Sequence, residues 1–156
     1  MGNVSLKMVL LYADRCGAER GKDVAETLRG KLGPGFHIRQ SSWNTELLRS
    51  TKLRALAALE ARDSDLVMIA LDEDKPLPEE VSQWFHLWKD RRRSTPAALV
   101  ALLKRSPDSV PHSVEETLEA FARDAKMDFF CHSEIDRDRP RFQFSPTAAP
   151  AFAAAH

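Results

Sequence analysis

The sequence is poor in cysteine: Cys16 and Cys131 are the two in 156 residues, with no Cys-x-x-Cys pair and no Cys/His ligand spacing. That excludes a disulfide framework and the usual zinc motifs, and it fits reduced thiols in a cytosol. Six glycines and nine prolines are too few for a collagenous or low-complexity chain. An excess of charge is missing as well, since 23 Lys and Arg balance 23 Asp and Glu. The balance gives no electrostatic ground for nucleic acid or an anionic membrane as partner. No apolar run approaches the ~20 residues of a spanning helix, and Met1 to Leu6 carries no signal-peptide core. Leu6 also stands where the myristoylation pattern wants Ser or Thr. A cytoplasmic protein is expected.

What is present is the composition of a globular chain, 43% hydrophobic and 29% charged, and its length suits one domain. Val4 to Tyr12 is dense in Val and Leu and predicts a strand buried on both faces. Gly17 to Arg29 repeats apolar residues at helical spacing and stops at Gly30, Gly33, Pro34 and Gly35. Phe36 to Ser42 alternates, the pattern of an edge strand. Asn44 caps an expected helix reaching Arg62 through an Ala/Leu-rich stretch.

Asp65 to Leu71 is a second apolar strand, and it breaks into Asp72-Glu73-Asp74-Lys75-Pro76. Pro78, Glu79 and Glu80 suit the start of a helix whose Val81, Trp84, Phe85 and Trp88 fall on one face. Ala97 to Leu103 is a third fully apolar strand. Ser113 with Glu116 reads as a capping box opening a helix to about Ala125, and Met127 to Cys131 as the fifth strand. From Asp136 the chain turns to Arg, Pro and Ala without period or caps, which reads as a C-terminal tail or arm over 136–156 beside a domain over 1–135.

Strands alternating with helices, the central ones apolar throughout, imply an α/β fold of three layers around a five-stranded parallel sheet. The order that fits is the flavodoxin-like 2-1-3-4-5, whose crevice lies beyond the carboxyl ends of strands 1 and 3. The residues placed along that edge are Asp14, Arg15 and Cys16, Trp43 and Asn44, Asp72 to Asp74, Ser106, and Cys131, His132 and Glu134. The usual last helix is lacking after Cys131, so half of one sheet face is expected bare. Either the tail, with Phe142, Phe144 and Phe152, or a second subunit covers it, and a homodimer is the favoured expectation.

Asp14 after the first strand and Asp72 closing the run Asp65-Leu66-Val67-Met68-Ile69-Ala70-Leu71 resemble response-regulator receiver domains and flavodoxin-like domains over residues 4–132. The stretch from Asp65-Leu66-Val67 through Leu77-Pro78 to Trp84 is also similar to small bacterial proteins of this fold. The resemblance implies Asp72 as the phospho-accepting aspartate, Asp14 as a magnesium-holding acid and Ser106 as the hydroxyl after strand 4. The chain has Asp14-Arg15 where receivers have an acidic pair, and Cys131-His132-Ser133 where they have a lysine. The expectation is therefore a receiver-like signalling or protein-interaction domain, with a protein partner, lacking intact phosphotransfer machinery.

The alternative is a nucleotide- or flavin-binding, or enzymatic, domain using the crevice through Asp14, Arg15, Trp43, Asp72, Asp74 and Ser106. A magnesium ion on Asp14 and Asp72, with Asp74 adding a third carboxylate, is chemically sensible for a hard cation. Against the nucleotide or flavin reading, the loop after strand 1 has no Gly-x-Gly-x-x-Gly and carries Glu19 where an anion would sit. The bland reading of the acids is loop solvation and helix capping. Cys131 and His132, adjacent on a strand, point to opposite faces and form no nucleophile and base pair.

Overall fold

The structure is a computed structural model in which residues 4–92, 96–107 and 113–135 are described. The expected arm over 136–156 lies outside them. Five strands, β1 (Val4–Tyr12), β2 (Phe36–Asn44), β3 (Leu66–Asp72), β4 (Ala98–Arg105) and β5 (Asp128–Ile135), form one sheet. All neighbours pair in parallel and the order is β2-β1-β3-β4-β5, the flavodoxin-like arrangement. The helices α1 (Arg15–Leu32), α2 (Thr51–Arg62), α3 (Glu79–Trp88) and α4 (Val114–Asp124) provide the crossovers. None of them is long and apolar enough to cross a membrane.

β3 and β4 are apolar at nearly every position because both of their faces are covered. Alternation sends Val9, Val67, Ile69, Leu99 and Ala101 to the layer of α2, α3 and α4. Met8, Leu10, Met68, Val100 and Leu102 go to the opposite layer, where α1 packs with Val24, Ala25 and Leu28. Gly21 allows α1 to lie close, since a Cβ there would stand 2.5 Å from Leu10 Cδ1. Trp84, Phe85 and Trp88 are fully buried, and Phe85 stacks on Phe121 of α4 with ring centroids 4.4 Å apart.

Several expectations are corrected. The segment from Asn44 to Arg62 is not one helix: a 3₁₀ turn, Thr45–Arg49, precedes α2, and Ser50 between them is extended. Ser50 Oγ accepts the Leu53 N–H at 3.3 Å and starts the second helix, a local bond that competes with a continuous one. Ser113 makes no side-chain cap bond, so the capping box does not form. β5 continues to Ile135 because its ladder with β4 runs to Arg105, which puts Cys131 to Glu134 inside a strand. The face expected to be bare carries α1 as its one helix among the described residues, yet Ala98, Val100 and Leu102 on it are buried. The exposed Leu47, Leu56, Leu59 and Leu87 lie instead on the 3₁₀ turn, α2 and α3.

Candidate functional site at the strand ends

The winding reverses between β1 and β3, and the chain leaves both strands beside each other, with Ala13 N–H donating to Ala70 O at 3.3 Å. Asp14 then turns into α1 as its N-cap, its Oδ1 accepting the Gly17 N–H at 2.8 Å. Asp72 is the last residue of β3, and its Oδ2 lies 4.0 Å from Lys75 Nζ, a largely solvated contact. The two aspartates share the wall of a hollow of about 130 Å³ with Lys75, Leu77 and Pro78. A nucleotide or flavin site usually encloses ~300–1,000 Å³, so this hollow is small for either.

The other expected residues are not among those lining that hollow. Asp74 accepts the Ser106 N–H at 2.9 Å and the Ser106 hydroxyl at 3.1 Å, joining the loops after β3 and β4. Trp43 donates its indole N–H to Glu60 of α2 at 2.9 Å and packs on the α2 side of the sheet. Arg15 is exposed in the first turn of α1. Asp14 and Asp72 are thus brought together, Asp74 and Ser106 pair with each other, and Trp43 is held against α2.

The sequence reading missed Arg20. It sits on the buried stripe of α1 with Gly17, Gly21, Val24 and Leu28, and its side chain is 5% exposed. Its Nε lies 3.7 Å from Glu134 Oε2, and neither Nε nor Nη2 has a hydrogen-bond acceptor. Burial pulls its pKa below the ordinary arginine value, opposed by Glu134 first and then by Cys16, Asp14 and Asp72. The signal was available: residues 17, 20, 21, 24 and 28 hold helical i, i+3, i+4, i+7 spacing, with a cation in the middle of the stripe. His132, beside this group on β5, has its pKa lowered by burial, while Glu134 raises it and Arg20 lowers it.

A second acidic hollow of about 450 Å³ opens on the α4 side, lined by Glu73, Glu115, Glu116, Arg105 and Ser133. Glu73 is buried and accepts a hydrogen bond from the Ser133 hydroxyl. Burial, then the nearby Glu115 and Glu73, pushes the Cys131 thiol up to about 12, so it stays protonated at neutral pH.

A magnesium ion takes several oxygen ligands in near-octahedral geometry. Among the described residues no three His, Cys, Asp or Glu side chains are grouped to hold a metal ion. Asp14 already directs one oxygen to the α1 N-terminus, and Asp74 is turned to Ser106. Asp74, turned to Ser106, does not join Asp14 and Asp72 as a third carboxylate.

No protein-family model matches the chain, and no curated protein matches it. Among solved structures it is similar to the metal-soaked Flv1 flavodiiron core from Synechocystis sp. PCC6803, with a TM-score of 0.52 and 14% identity. The likeness is one of fold. It takes in 86% of this chain and 31% of that one, so the chain spans about a third of that protein's length. The flavodoxin-like architecture is common to both, and the activity of the larger protein does not pass with it.

Proposed function

We propose that this chain is a receiver-like signalling or protein-interaction domain that works without metal-dependent phosphotransfer. The observation that carries the reading is the register at the strand ends: Asp72 pairs with Lys104 of β4, and Lys104 pairs with Glu134 of β5. An acid therefore stands on β5 level with the aspartate, in the region where the receiver pattern has a lysine to meet a phosphoryl group. Ser106, the hydroxyl the same pattern would use, is bound by Asp74. The small hollow between Asp14 and Asp72 supports the same reading over a nucleotide or flavin site.

The test is incubation with Mg2+ and a small acyl-phosphate donor, followed by intact mass measurement. No mass of one added phosphoryl group is expected. A phosphoryl adduct that disappears in Asp72→Asn overturns the reading. Self-association belongs to the same proposal, with a second copy of this chain as the partner. Native mass spectrometry of the untreated protein is expected to show a bare dimer, and a clean monomer at micromolar concentration removes that part. A retained mass of nucleotide or flavin size favours the ligand-binding alternative.

A further inference from the structure

β2 is an edge of the sheet, with β1 on one side and no strand on the other among the described residues. Its register with β1 runs unbroken from Val4 and Phe36 to Tyr12 and Asn44, and its 9 residues include no proline. Bulges, prolines and charges are what usually blunt an edge. The opposite edge, β5, carries such charges: paired with itself about Cys131, it would set Asp128 against the partner's Glu134. In β2, Trp43 packs on the α2 side of the sheet and Ile38 on the α1 side, so alternation puts Arg39 and Ser41 with Trp43. With Lys7 they floor a groove of about 610 Å³ whose wall is Leu59, Glu60 and Asp63 at the end of α2. Leu56, one turn earlier on the same stripe, is 49% exposed and Leu59 is 50% exposed.

We infer that β2 is the self-association surface and that its occupant is the β2 of a second copy, added antiparallel across a two-fold axis at Gln40, so that one sheet runs through both copies. Centred there, the whole strand pairs, from Phe36 with the partner's Asn44 to Asn44 with the partner's Phe36. Centred one residue earlier, Arg39 would oppose its own copy, a like-charge pair. About Gln40, Arg39 stands opposite the partner's Ser41 and diagonal to the partner's Trp43, the residue whose indole N–H holds Glu60. Cation and carboxylate thus meet across the axis, and the symmetry makes the contact twice. The added strand also widens the groove floor to two β2 strands, with one α2 on each side. Leu56 and Leu59 of both copies then turn toward each other over that floor and leave water. The inference gives the proposed self-association its surface and rests on that part of the proposed function.

Cysteine cross-linking reads the axis directly. In a Cys16→Ser, Cys131→Ala background, Gln40→Cys brings two thiols opposite each other, with Cα atoms ~4.5–5.5 Å apart, inside disulfide range. Ser42→Cys leaves its two thiols about 14 Å apart along the strand. Mild oxidation with copper phenanthroline is expected to give a covalent dimer with Gln40→Cys and none with Ser42→Cys, although Ser42 is the more exposed of the two. Sedimentation of charge variants supplies a second readout that needs no cysteine. Arg39→Glu is expected to raise the dimer Kd at least ~10-fold, because the lost contact occurs twice, and Glu60→Arg placed on it is expected to recover most of that loss. A wild-type dimer that fails to cross-link through Gln40→Cys, or cross-links equally through Ser42→Cys, overturns the assignment to β2 and leaves self-association standing. An unchanged Kd in Arg39→Glu has the same meaning. A wild-type monomer at micromolar concentration removes self-association and this surface together.

Discussion

Asp74 holds Ser106 at two points, its carboxylate accepting both the backbone N–H and the hydroxyl, and so ties the loop after β3 to the loop after β4. Both residues stand at the rim, where solvent weakens such bonds. Asp74→Ala is expected to cost about 1 kcal/mol in urea denaturation, and Ser106→Ala less, because the backbone N–H still has its acceptor. An equal loss in the two variants would mean that the hydroxyl carries the whole link.

Two glycines of α1 are expected to respond in opposite directions. A Cβ at Gly21 would meet Leu10 Cδ1 at 2.5 Å, and Leu10 is buried, so it has to shift within a packed layer. Gly21→Ala should therefore lose about 1–3 kcal/mol through overpacking, more than helix propensity returns. Gly30 has nothing within 4 Å of the same position, so Gly30→Ala should gain up to about 1 kcal/mol. Chemical denaturation of both variants checks the pair, and a stabilised Gly21→Ala would mean that α1 can lift from the sheet.

Cys131 sets an alkaline limit. Its thiol is pushed up to about 12 in the folded chain, and an unfolded thiol titrates at ~8.5. Between these values the unfolded state has released its proton and the folded state has not, so stability falls as pH rises above ~8.5. Replacing Cys131 with Ala should flatten that slope. Iodoacetamide should label Cys131 far more slowly in the native protein than in urea, as peptide mass mapping will show.

His132 works at the acid side. Burial lowers its pKa, so below ~6.5 the unfolded chain takes up a proton that the folded chain refuses. Its contribution to stability is present above that value and is lost as pH falls toward the lowered one. The acid limb of a Tm-against-pH curve should shift to lower pH in His132→Gln. An unchanged limb would assign the acid loss to carboxylates.

The sheet was legible in the sequence because its cause is written there in unbroken form. Leu66 to Leu71 and Ala98 to Leu103 are buried on both faces, and that demand leaves a run of apolar residues that no helix among the described residues imitates. The edges were less legible. His132, Ser133 and Glu134 look like a loop, yet they complete β5 because the β4 ladder extends beside them. The break at Ser50 is hidden by strong helix formers around it, and the missing cap at Ser113 shows that the right residue types still need the right backbone angles. Asp14 and Asp72 stand at the carboxyl ends of β1 and β3, where the strand order puts them. Arg20 was not noticed because a charge on an apolar stripe is easily taken as an interruption, although its partners come from strands remote in sequence.

The three tryptophans divide the molecule into regions that light can read separately. Trp84 and Trp88 are sealed in the aromatic cluster of α3, whereas Trp43 keeps partial access to solvent at the end of β2 beside Glu60. Blue-shifted emission from the sealed pair reports whether α3 is seated, and collisional quenching by acrylamide falls first on Trp43. Fraying of the β2 edge and collapse of the whole core therefore leave different optical signatures, with no added dye.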